Sequence, residues 1–236
     1  MDLLTEITGR AVPSARAPQL AAPGLLAVLA LAAVAVAWWP AWRVLRLVVT
    51  LVHELGHAVV GVAVGRRFRG FVLRADMSGH AVTVGRPSGP GLVVTTWAGY
   101  PAPALLGMLL VWLAAKGWTA PVLTALLAGL LVALVFVRSA LTGLVVVGSL
   151  AGVAALWWWR EDGLQQHVLV GTGLVLLAGA WRHLASVLRR VGPSSDPGAL
   201  ARLTGIPVLV WQVGFVAVLA LASWIVGSEV LTVLSR

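Results

Sequence analysis

Val44 to Val64 reads VLRLVVTLVHELGHAVVGVAV, and this stretch decides both the fold and the chemistry. Its apolar run is long enough to cross a bilayer as a helix, which takes about 20 residues. His53, Glu54 and His57 sit inside it. A charge at the middle of a span costs about 2.5 to 3.5 kcal/mol on insertion scales, so ionisable groups held there point to function. Their spacing is HExxH. On a helix, His53 and His57 project from one face, where two imidazoles can bind one Zn2+, and Glu54 stands beside them as a candidate general base. The plain structural alternative is a pair of histidines satisfied by neighbouring helices beside a protonated Glu54.

Composition sets the frame around that helix. A chain of 236 residues that is 60% hydrophobic and 11% charged is not an ordinary soluble domain, and it reads as a multi-pass membrane protein. It has no Cys, so disulfides and thiolate ligands are excluded, and a metal must be held by His, Asp, Glu or water. The 17 basic residues against 8 acidic ones would suggest nucleic acid in a soluble chain. Here they fit loops obeying the positive-inside rule, and no nucleic-acid partner is implied.

Residues 1–20, MDLLTEITGRAVPSARAPQL, are polar and lack the apolar core of a signal peptide, which predicts an N-terminal tail; residues 21–236 then form a single membrane-embedded domain. The apolar runs predict about seven transmembrane helices. Ala21 to Trp39 is the first, and Pro40 separates it from the motif helix, the two forming a tight helical hairpin. Leu92 to Ala115 is the third, kinked by Pro101 and Pro103 in Gly99-Tyr100-Pro101-Ala102-Pro103. Ala120 to Trp159 is twice the needed length and must fold back near Arg138 and Ser139. His167 to Leu184 and Pro207 to Val226 complete the set. Gly148 and Gly152 form a small-xxx-small pair suited to close helix packing. Between spans two and three, FRGFVLRADMSGHAVTVGR predicts a small β-hairpin at the membrane surface, turning at Asp76 to Gly79. Its edge could accept an extended substrate segment, and the five arginines of the Gly65 to Gly89 connection, Arg66, Arg67, Arg69, Arg74 and Arg86, would contact lipid. The predicted class is an all-α polytopic membrane protein with this one hairpin.

Seven alternating spans place the N-terminus, the hairpin, Arg138 and the loop before the last span on one side, with twelve of the 17 basic residues, Arg182 among them. That side would be cytoplasmic, in a cell membrane. Trp38, Trp39, Trp42, Trp118, Trp157, Trp158, Trp159 and Trp224 would gather at the opposite interface.

Several stretches together resemble one family. HELGHAVVG within a span, a small hairpin, then AGYPAP, VRSALTG and SSDPGALARLTGIPVLVW are similar to the M50B-like branch of the M50, or site-2-protease-like, intramembrane zinc metallopeptidases, over about Val44 to Trp211. The resemblance implies a third zinc ligand that is an Asp from a later span, in an L-D-G or related motif, and a G-P-x-x-N element lining the site. This chain departs from both patterns: Tyr100-Pro101 stands in place of Gly-Pro with no Asn after it, and the late Asp196 is followed by Pro.

The resulting expectation is an intramembrane zinc metalloendopeptidase. His53, His57 and Asp196 bind Zn2+, Glu54 moves protons, and the substrate is a membrane protein or peptide segment. Asp196 can equally be read as a helix cap before Pro197, and His183, Asp76 and His80 remain alternative third ligands. A catalytically silent scaffold of the same fold is the second reading. A metal transporter is the third, disfavoured by the few polar residues in spans three to five.

Overall fold

The computed structural model describes residues 8–13, 20–189, 192 and 195–235. Most of the expected N-terminal tail, and Arg190, lie outside the described residues. The elements are α1 (Ala22–Ala37), α2 (Trp39–Ala63), β1 (Arg67–Leu73), β2 (Gly79–Val84), α3 (Pro90–Trp97), α4 (Pro101–Ala115), α5 (Thr119–Val135), α6 (Ala140–Trp158), α7 (Asp162–Arg189), α8 (Asp196–Thr204) and α9 (Val208–Leu234). Helices α2, α6, α7 and α9 are long and apolar enough to cross a membrane, and α3 with α4 makes a fifth span if the pair, bent by 60°, is counted as one. The apolar helices α1 and α5 are shorter. The protein is therefore helical and membrane-embedded, with four to five candidate spans among the described residues.

Local chemistry explains the breaks. Pro40 opens α2, and Gly65, at φ 82°, closes it in the left-handed conformation that glycine adopts freely. Ser139 caps α6 by accepting from the Thr142 N–H, which fixes the expected fold-back beside Arg138. The core is α4, α7 and α9, filled by Leu110, Leu176, Leu184, Phe215 and Leu219. Glycines let two of these helices touch: a Cβ on Gly107 or on Gly173 would lie 2.5 Å from the other's carbonyl oxygen. Among the described residues of this chain, a Cβ on Gly148 or Gly152 meets nothing within 4 Å.

One expectation about arrangement fails, and the packing of the hairpin is a second finding. First, α1 and α7 run side by side in the same direction, whereas strict alternation of seven spans makes them antiparallel. A Cβ on Gly24 would lie 2.4 Å from His167, one on Gly171 lies 3.4 Å from Val28, and Arg182 donates to the Val36 carbonyl. The N-terminal segment agrees: Arg10 donates to Trp157 O at 3.4 Å and Arg160 donates to Val12 O at 3.3 Å. Residues that the charge tally put on opposite sides thus share one end of the bundle. Arg182, tallied with the cytoplasmic set, lies 4.2 Å over the Trp42 ring, tallied with the other. The reason is α2. Trp42 and Val49 both rest on Gly179, and the His53 ring is 5.1 Å from that of His183. About 16 Å of α2 therefore passes over roughly one turn of α7, a steep crossing and not the return arm of a helical hairpin.

Second, the β-hairpin packs along a helix that is long and apolar enough to span a membrane. It runs back along α2: Thr83 lies at Gly61, Gly79 at Glu54, and Thr50 donates to the Met77 carbonyl at 3.1 Å. It can lie beside a span because its backbone is paired on both sides of β1. The antiparallel ladder matches Phe71 with Ala81 and Leu73 with Gly79. On the other edge Phe71 N–H donates to Phe136 O at 3.0 Å, Arg138 N–H to Phe71 O at 3.2 Å, and Leu73 N–H to Thr142 Oγ1 at 2.7 Å. Arg138 is thus held at this junction by its backbone, and Arg66 staples the hairpin base by donating to Thr83 Oγ1 at 3.1 Å and Arg86 O at 2.8 Å.

Candidate metal centre

The site lies where α4 and α9 begin and α7 ends, with α2 crossing above it. Two glycines set the approach of α2 to the bend between α3 and α4. A Cβ on Gly56 would stand 2.4 Å from Ala102 Cβ, and one on Gly99 would stand 2.4 Å from His57 Nε2 and 2.6 Å from His53 Nε2. Only glycine at 99 leaves room at the ends of both imidazoles.

Asp196 meets those imidazoles from α8. Its Oδ2 is 3.2 Å from His53 Nε2 and 3.3 Å from His57 Nε2, and the two nitrogens are 3.2 Å apart. Ser195 occupies the N-cap position of α8, so Asp196 is the first helical residue, free to point away from the helix end. His57 Nδ1 lies 2.7 Å from the Thr95 carbonyl and must donate to it, which leaves Nε2 with a lone pair. His53 Nδ1 is buried without a partner. Asp196 Oδ2 is also buried and receives no hydrogen bond.

These three atoms fit a zinc ion. Donors 2.0 to 2.1 Å from a tetrahedral metal stand about 3.3 Å from one another, the spacing observed. Two His and one carboxylate is an established catalytic zinc set with one position left open. Among the described residues His53, His57 and Asp196 are the group that could hold a metal ion.

The alternative ligands fall elsewhere. His183 and His80 line the same cavity, of about 450 Å3, without joining the three-atom group. Asp76 is in the hairpin turn, where its Oδ1 accepts from Ser78 Oγ at 2.6 Å and Ser78 N–H at 2.9 Å; those bonds hold its carboxyl below the usual range. Glu54 is buried next to the group, and its carboxyl lies against the hairpin: a Cβ on Gly79 would be 2.4 Å from Glu54 Oε1. Tyr100 closes the floor, with its ring 4.9 Å from His53, 5.5 Å from His183 and 5.1 Å from Phe215.

Sequence reasoning flagged the Gly99 to Pro103 break but not the part Gly99 plays, and it missed Gly79 and the Thr95 carbonyl. The one available signal was a glycine immediately before the Tyr-Pro break. Backbone carbonyls and strand positions carry no residue-type signal at all.

The family model described as Peptidase M50B-like matches residues 26–227, most of the chain and all of this site. No curated protein and no solved structure matches it.

Proposed function

This chain belongs to the Peptidase M50B-like family, and from that premise we propose that it is a zinc metalloendopeptidase hydrolysing peptide bonds in or beside membrane-spanning segments. The observation that carries the reading is the triangle of His53 Nε2, His57 Nε2 and Asp196 Oδ2 with the Glu54 carboxyl beside it. Zinc held by this set supplies Lewis acidity, which polarises a carbonyl and acidifies a water. The Glu54 carboxylate takes the proton from the attacking water as the C–O bond forms, then delivers it to the leaving nitrogen as the C–N bond breaks. Thr95 O fixes the His57 tautomer, and Gly79 lets the hairpin close over Glu54 without displacing it.

A transmembrane helix hides its carbonyls in its own hydrogen bonds, so the substrate must be extended before cleavage. Gly79, His80, Ala81 and Thr83 of β2 line the cavity, which supports pairing of an extended substrate segment with the strand edge there. We place the protein in the cell membrane. The hairpin, Arg182, Arg189 and Arg202 lie toward the end of the bundle opposite Arg10, Lys116 and Arg160, so the charge rule sets the hairpin end in the cytoplasm and the N-terminus outside it, reversing the first expectation.

The test is Glu54→Gln in purified protein, assayed with a quenched-fluorescent single-span peptide and for zinc. Zinc should stay, and cleavage should fall by about 10² to 10⁴-fold, the usual worth of a general acid-base group. Retained cleavage would refute the mechanism.

A further inference from the structure

Tyr100 brings to the metal cavity a hydroxyl that the chemistry above does not use. It occupies the N-cap position of α4, just before Pro101 and just after Gly99, the glycine that leaves room for both imidazoles. Its ring is wedged among three others: it stands edge-on to His53 at 89°, is tilted 54° from His183, and lies 5.1 Å from Phe215. Neighbours on α2, α7 and α9 thus fix the ring in place.

That hydroxyl is uncommitted. Among the other hydroxyls lining the cavity, those of Thr50, Thr95 and Ser195 donate to main-chain carbonyls and that of Ser78 donates to Asp76. Tyr100 Oη makes no hydrogen bond with a described residue, although the side chain is buried. Nor is this oxygen sealed in protein, as the unpartnered Thr119 Oγ1 and Gln165 Oε1 are. A buried hydroxyl without a partner costs about 1 to 3 kcal/mol, so one that opens on a polar cavity is placed to donate to what the cavity receives.

We propose that Tyr100 is a catalytic residue that stabilises the oxyanion of peptide hydrolysis, its Oη–H donating to the scissile carbonyl oxygen as that oxygen takes up negative charge. The inference rests on the peptidase reading. As the water oxygen bonds to the carbonyl carbon, its proton passes to Glu54 and the C=O π pair moves onto the carbonyl oxygen. The phenol meets that charge with a hydrogen bond and keeps its own proton. When the C–N bond breaks, the pair returns to the C=O bond and the proton on Glu54 goes to the nitrogen. A phenol already held by three rings needs no reorganisation at that moment, which is what makes such a donor effective.

The test is Tyr100→Phe, which keeps the ring and its packing and removes only the O–H. The full chain is compared with wild type for cleavage of the single-span peptide, for zinc content, and for binding of a phosphinic peptide, whose tetrahedral anionic group resembles the adduct. In the variant kcat should fall about 10² to 10³-fold, the usual worth of one oxyanion donor, with KM and zinc unchanged. The phosphinic peptide should bind more weakly by a similar factor, since the lost contact belongs to the transition state. Thr96→Val, which removes another hydroxyl from the cavity wall, should cleave like wild type. The proposal is overturned if Tyr100→Phe leaves kcat or phosphinic-peptide affinity at the wild-type level, if it loses zinc, or if Thr96→Val loses as much activity. An active wild type matched by Tyr100→Phe removes this inference and leaves the peptidase reading standing, whereas a wild type that neither cleaves the substrate nor binds the phosphinic peptide removes both.

Discussion

His57 Nε2 stands 3.3 Å from Asp196 Oδ2 with its other nitrogen committed to the Thr95 carbonyl. A lone pair therefore faces a carboxylate oxygen, and His53 Nε2 closes the triangle at 3.2 Å. Three such donor atoms at this spacing form a group that could hold a cation.

Gly99→Ala tests that space directly. The new Cβ would stand 2.4 Å from His57 Nε2, so the variant should lose metal and activity while keeping its helical circular dichroism. Gly129→Ala is the control, since its Cβ meets nothing within 4 Å, and it should retain both.

Gly79→Ala presses on Glu54 and not on the ligands, with its Cβ 2.4 Å from Oε1. Zinc content should therefore be unchanged while cleavage drops by roughly 10² or more, within the range for a displaced general base. Equal loss of zinc and cleavage would mean that the hairpin holds the metal group and not Glu54.

The direction of α1 can be checked by crosslinking, because the chain has no Cys of its own. Val28→Cys with Gly171→Cys should form a disulfide on oxidation, since the Gly171 Cβ position is 3.4 Å from Val28 Cγ1. Pairing Val28→Cys with Arg182→Cys should not, because Arg182 sits instead at Val36. The reverse pattern would restore the antiparallel arrangement.

The depth of the hairpin makes a similar claim. Gly61→Cys with Thr83→Cys should crosslink within the membrane, the Gly61 Cβ position being 3.1 Å from Thr83 Cγ2. A hairpin lying on headgroups would leave the thiol of Thr83→Cys open to a membrane-impermeant maleimide and unlinked.

What the sequence made legible was whatever depends on a short run of chain. The motif helix, the hairpin pairing, the break at Tyr100-Pro101 and the fold-back at Ser139 all follow from local patterns of apolar residues, prolines and caps. The orientation of α1 was not legible, because counting apolar runs assumes that each crosses squarely, and the oblique path of α2 over Gly179 and His183 breaks that assumption. Asp196 was half legible. Its setting in Ser195-Asp196-Pro197 serves a cap as well as a ligand, and only the folded chain shows Ser195 at the cap position and Asp196 against the histidines. Gly148 and Gly152 meet no other described helix of this chain, since spacing alone does not say which helix face meets a neighbour.

The most direct measurement is zinc per chain, by inductively coupled plasma mass spectrometry, in purified wild type and in Asp196→Asn. Asn preserves shape but removes the charge and one acceptor. Wild type should carry zinc in a one-to-one ratio. Asp196→Asn should bind it roughly a hundredfold more weakly or worse, since even outer partners of a metal ligand are worth 10 to 100-fold. Zinc-free wild type, or an Asp196→Asn variant that holds zinc as tightly as wild type, would contradict a metal centre built from His53, His57 and Asp196.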